Sequence, residues 1–118
     1  MKDEKGELCP FNKMVLAVFE RNLKQIKYSK EGTYSLITSA RDHLLWIQKS
    51  KIKIMLVTTK DIKIYFDYLQ TENKLTQDEL IITKSALTVF YTYLAMPSKL
   101  GIQPPDFRVI KFSFFSFN

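Results

Sequence analysis

The chain has 118 residues, ordinary apolar content, few glycines and prolines, and a net charge of +6. That size supports one domain with one modest core, and the composition excludes a disordered chain. No apolar run is long enough to span a bilayer, and the single cysteine, Cys9, excludes an internal disulfide. A soluble, cytoplasmic protein is expected. Lysine supplies nearly all the positive charge, which favours polyanionic partners but says nothing of fold.

Residues 1–10 are charged and carry Gly6 and Pro10, so they read as a flexible leader. A first helix should start near Phe11 or Asn12. Val15, Val18, Phe19, Leu23 and Ile26 form its apolar stripe, while Lys13, Arg21, Lys24 and Lys27 lie off it. Ser29 is a plausible N-cap for a second helix reaching about Lys49, with Gly32 weakening its first turn. Tyr34, Ile37, Leu44, Leu45 and Ile47 are its apolar positions, and Trp46 should cover a neighbour's edge. His43, the only histidine, has no evident ligand or catalytic partner and reads as a surface or boundary residue.

A lysine-rich loop follows from Lys49 to Lys53. Ile54, Met55, Leu56 and Val57 read either as a short extended segment or, the favoured choice, as an apolar loop tucked under the bundle. Thr58 caps a third helix, with Asp61 three residues on. Ile62, Tyr65, Phe66 and Leu69 are its stripe. Thr76 and Glu79 form a capping box for a fourth helix, whose Leu80, Leu87, Phe90, Tyr91 and Leu94 share one face. Ser85 and Ala86 are small enough to let a neighbouring helix come close. Pro97, Pro104 and Pro105 forbid a long continuation. The aromatic ending, residues 106–118, reads as an edge strand, a sticky tail or sequence foreign to the domain. The expectation is an all-α, compact bundle of four main helices over residues 11–105, with a short extra helix or an extended C-terminal tail as an open addition.

The fourth helix carries the pattern L-T-x-x-x-L-x-x-x-x-S-A-L-x-x-F-Y-x-Y-L on Leu75, Thr76, Leu80, Ser85, Ala86, Leu87, Phe90, Tyr91, Tyr93 and Leu94. It resembles the last long helix of the core-binding domain of tyrosine recombinases, the phage integrases. Other elements of that domain are matched in order. The restart before its second helix resembles Tyr28-Ser29-Lys30-Glu31-Gly32-Thr33, with one extra residue. The aromatic end of that helix resembles Leu44-Leu45-Trp46-Ile47. The I-T-x-x-D-I-x-x-Y-x-x-Y-L stretch is similar to residues 57–69, with Val57 at its head. The closing I-x-x-N-P turn has Ile102-Gln103-Pro104-Pro105 in its place and lacks the asparagine.

The resemblance implies a SAM-like bundle forming one half of a clamp on double-stranded DNA. It puts the second and fourth helices against the major groove, where a helix fits and phosphates line both walls. The groove-facing candidates are Ser35, Thr38, Ser39 and Asp42 on the second helix and Thr83, Lys84 and Thr88 on the fourth. Lys30, Lys49, Lys51 and Lys53 could reach phosphates from the ends and the loop. Lys84 is the only basic residue in the fourth helix, so isolated binding should be weak. Other recombinase protomers are a further partner the family implies.

The family's tyrosine nucleophile lies in a catalytic domain after the proline-ended turn, and none of the tyrosines here sits in that motif. This chain alone is therefore expected not to cut or join DNA. No Gly-rich phosphate loop, metal-ligand cluster or Ser/His/Asp set appears, so no cofactor, metal or small-molecule substrate is expected. The competing reading is a helical protein-interaction module without DNA binding, motivated by the pale fourth helix and the aromatic ending.

Overall fold

The computed structural model describes residues 6–26 and 28–112. Expectations for residues 1–5, Lys27 and 113–118 lie outside it. Four helices follow in order: α1 (Pro10–Ile26), α2 (Lys30–Lys49), α3 (Thr59–Thr71) and α4 (Gln77–Ala95). Single 3-10 turns stand at Ile54–Leu56 and Phe107–Val109, and no strand occurs among the described residues. The protein is a compact all-α globule.

Local chemistry sets the helix starts. Pro10 opens α1 at the first helical position, where its missing N–H costs nothing. The Ser29 hydroxyl accepts from the Gly32 N–H at 3.0 Å to cap α2. Thr58 with Asp61, and Thr76 with Glu79, both close full capping boxes on α3 and α4.

The core forms where the four stripes meet, with α4 packing most extensively on α2. Leu80, Leu87, Phe90, Tyr91 and Leu94 are all buried, as their spacing predicts. Phe90 meets Phe19 of α1 edge-on, with ring centroids 4.9 Å apart. Ala86 is buried while Ser85 faces outward, so only one of the two small residues serves close packing. On α1, Leu16 replaces Ile26 in the stripe; Ile26 is 55% exposed. On α2, Tyr34 is also no core residue, since it is 73% exposed and Leu36 and Ala40 are buried instead. Ile26 falls in the last turn of α1, whereas Tyr34, about 200° around the helix from Leu36, lies on the face of α2 opposite the buried one.

His43 overturns its expectation. It is fully buried, against Tyr65 and Tyr91, rather than at a surface or boundary. Leu36, Ala40, His43 and Ile47 recur at helical spacing and form the buried face of α2.

The apolar loop at Ile54–Leu56 is half tucked: Ile54 and Val57 are buried, Met55 and Leu56 exposed. At the other end of the chain, residues 7–9 are tied to α2. The Gln48 side chain accepts from the Cys9 N–H at 2.8 Å and donates to the Glu7 carbonyl at 2.9 Å, and Leu8 is buried. After α4 the chain crosses back over α3 and α4. Ile102, Phe107 and Ile110 join the core, the Asp106 N–H donates to Thr59 Oγ1 at 2.9 Å, and Phe112 meets Phe66.

Two helix ends carry a feature that lysine does not advertise. Lys51 and Lys74 take left-handed backbone conformations, with φ of 63° and 53°. After α2, the Ile52 N–H bonds the Ile47 carbonyl at 2.8 Å and the Lys51 N–H bonds the Gln48 carbonyl at 3.1 Å. That is the Schellman arrangement, whose left-handed residue is ordinarily glycine. A residue with a Cβ costs about 1–2 kcal/mol there. Glycine returns about 0.5–1 kcal/mol of that through its freer unfolded chain. Lys51→Gly should therefore raise stability by up to about 1 kcal/mol, read as a higher midpoint in urea unfolding. A lowered midpoint would contradict this account of the turn.

Candidate nucleic-acid interface

Ser35, Ser39, Asp42, Trp46 and Lys49 recur at helical spacing along one stripe of α2. All but Lys49 are half-buried, and Lys49 is exposed. The stripe runs beside a cleft of about 190 Å³ between α2, α3 and α4. Ser39, Asp42 and Lys49 line it from α2, Tyr65 and Tyr68 from α3, and Thr83 from α4. Three of the expected contact residues, Ser39, Lys49 and Thr83, thus share one place. Thr38 and Ser35 lie half-buried on the same helix but do not line the cleft.

The basic residues flank this cleft rather than fill it. Lys30 stands exposed at the start of α2, and Lys51 and Lys53 stand exposed beyond its end. A helix of 20 residues separates them, about 30 Å at 1.5 Å per residue. Lys74 is also exposed, between Asn73 and Leu75 of the cleft wall. Sequence reading missed Lys74 because it sits in a turn outside every helix stripe.

The rest of the α4 set points elsewhere. Lys84 is half-buried, and its Nζ donates to the Ile110 carbonyl at 2.9 Å. The same ammonium lies 5.9 Å from the Phe112 ring centre. Thr88 is exposed one turn on, with its Oγ1 donating to the Lys84 carbonyl at 2.8 Å. Lys84, Thr88 and Phe112 line a separate hollow with Ile81 and Ser85. The only cation of α4 therefore anchors the returning C-terminal segment. Read from the sequence as an edge strand, a sticky tail or foreign sequence, that segment carries no signal that Ile110 meets Lys84.

Aromatic rings build the cleft floor. Trp46 lies 5.0 Å from Tyr65 and 6.1 Å from Tyr68 between ring centres. Burial holds the Tyr65 hydroxyl well above the usual phenol range, and the Asp42 and Tyr68 charges push the same way. It stays protonated at ordinary pH and adds no charge to the cleft. Beneath it, His43 Nε2 lies 2.6 Å from Tyr91 Oη. Burial pushes the imidazole down to about 3, so it is neutral at ordinary pH and adds no cation to the interface. Its Nδ1 has no hydrogen-bond partner.

Among the described residues, no three His, Cys, Asp or Glu side chains converge as a metal site would need. No described helix is long and apolar enough to cross a membrane. No family model, curated protein or solved structure matches the chain.

Proposed function

We propose that this chain is a DNA-binding module of the kind tyrosine recombinases use as one half of a clamp. The observation that carries the reading is the α2 stripe: Ser39 and Lys49 share a cleft with Thr83, and lysines stand exposed beyond both ends of the helix. The major groove, about 12 Å wide, admits one such helix, and cations at its two ends can meet phosphates on either wall. The motifs that resemble the family in order along α2, α3 and α4 support the same reading. In this role the module binds and positions duplex DNA in the cytoplasm, in support of recombination and DNA integration. It does not itself cut or join strands, and neighbouring recombinase protomers are its natural protein partners.

The charge distribution sets the strength. Asp42 lies within the stripe and opposes a phosphate, while Lys84 is engaged with Ile110. Contacts come chiefly from Lys30, Lys51 and Lys53. About three phosphate contacts give a log–log salt slope near −3 and an affinity within the non-specific range, on the order of 10⁻⁴ to 10⁻⁶ M.

The test is fluorescence anisotropy of a labelled mixed-sequence duplex at two salt concentrations. The Lys30→Glu/Lys53→Glu double variant should weaken binding at least about tenfold and flatten the salt slope. Lys84→Met, which keeps the stem and removes the donor, should leave binding near wild type. Binding that ignores the double variant, or no binding at low salt, would refute the reading. A second reading, a protein-interaction module, is favoured by one specific feature: an apolar groove at the start of α1.

A further inference from the structure

An open groove of about 480 Å³ lies where α1 begins and the turn after α2 returns. Phe11 and Met55 form its apolar walls and are 43% and 46% exposed. Ile52 and Ile54 also line it. This is within the size range of pockets that take a small organic ligand or a few side chains. Methionine adapts its shape to varied apolar partners.

The groove is built rather than incidental. Gln48 bonds both the Cys9 N–H and the Glu7 carbonyl, which fixes the chain entering α1. Leu8 and Ile54 are buried and hold the two walls to the bundle. Lys51 and Lys53 stand exposed at the rim, and no carboxylate lines the groove among the described residues. The Schellman turn keeps the rim cation of Lys51 in place despite the cost of its left-handed backbone.

We propose that this groove docks a short segment of a partner protein that presents an apolar side chain between acidic residues. The apolar anchor would cover Phe11 and Met55, and the flanking carboxylates would meet Lys51 and Lys53. DNA fits less well, because a phosphate backbone pairs with the lysines but leaves the two apolar walls in water. A second copy of this chain fits less well too, because its net charge of +6 would face the same lysine rim. The inference does not rest on the DNA reading and stands if that fails.

The test selects short random peptides displayed on phage against the intact chain. Enriched sequences are synthesised, labelled and titrated by anisotropy. They should carry a Leu, Ile or Phe flanked by Asp or Glu. Both Lys51→Glu/Lys53→Glu and Met55→Ser should weaken them about tenfold, with circular dichroism showing each variant folded. Saturating peptide should slow alkylation of Cys9, which lines the groove and is exposed. Neutral or basic selected peptides, binding indifferent to both variants, unslowed Cys9 alkylation or no enrichment would each overturn the proposal. Self-association abolished by Met55→Ser would assign the groove to a second copy instead.

Discussion

Below about pH 6.5 the protein should lose stability by about 1.4 kcal/mol for each pH unit, through His43 alone. Its folded imidazole is held down to about 3 by complete burial, while the unfolded group titrates at 6.5. In acid the unfolded chain therefore binds a proton that the folded chain refuses. The contribution of the neutral imidazole is full above pH 6.5 and is lost progressively as pH falls toward 3. Across that window the loss amounts to roughly 4 kcal/mol, a large share of the 5–15 kcal/mol typical of a domain. The groups facing the ring are Tyr65 and Tyr91, which carry no positive charge to share the effect. His43→Phe removes the titration and fills a similar space. It leaves the Tyr91 hydroxyl unpaired, so it should cost about 1–3 kcal/mol at neutral pH. Its unfolding free energy should then fall less steeply in acid, and the two curves should converge. Urea unfolding of both proteins between pH 4 and 7 reads this directly. Parallel curves would show that His43 is not the group responsible.

Ending the chain after Gly101 should abolish cooperative folding. Ile102, Phe107 and Ile110 are buried, and each contributes about 1.5–3 kcal/mol when taken from water. Their joint loss, about 5–8 kcal/mol, is comparable to the whole stability of a small domain. The cut also uncovers Phe66 and Tyr91, which meet Phe112 and Phe107, and leaves Lys84 without the Ile110 carbonyl. A chain ended after Phe112 keeps these contacts and should unfold as one transition. The milder Phe107→Ala should cost about 3–5 kcal/mol. Thermal melts followed by circular dichroism distinguish these cases. A sharp transition in the chain ended at Gly101 would mean that the four helices suffice without the returning segment.

The second of these predictions bears on the proposed DNA binding. The returning segment engages Lys84, so a charge reversal there disturbs the fold before it disturbs an interface. Lys30 and Lys53 are exposed and carry the clean test.

Helix positions and their starts were legible in the chain because they depend on neighbours a few residues apart. Thr58 with Asp61 and Thr76 with Glu79 are such pairs, and the α4 stripe from Leu80 to Leu94 follows from helical spacing alone. The burial of His43 was partly legible, since it continues the spacing of Leu36 and Ala40; polarity argued against it. The left-handed lysines were not legible, because lysine carries no signal for that conformation. Ser39, Lys49 and Thr83 could be named singly, but nothing in the chain said that they share a cleft. The sequence by itself determined four helices, three of them capped by Ser or Thr, their apolar faces and a net positive charge. Only the tertiary structure decided that Ile102, Phe107 and Ile110 join the core, that Lys84 anchors the segment carrying them, and that His43 meets Tyr91. The physical reason is range. Caps and stripes are set within a turn or two, whereas these contacts join residues 26 and 48 positions apart and exist only once the helices have packed.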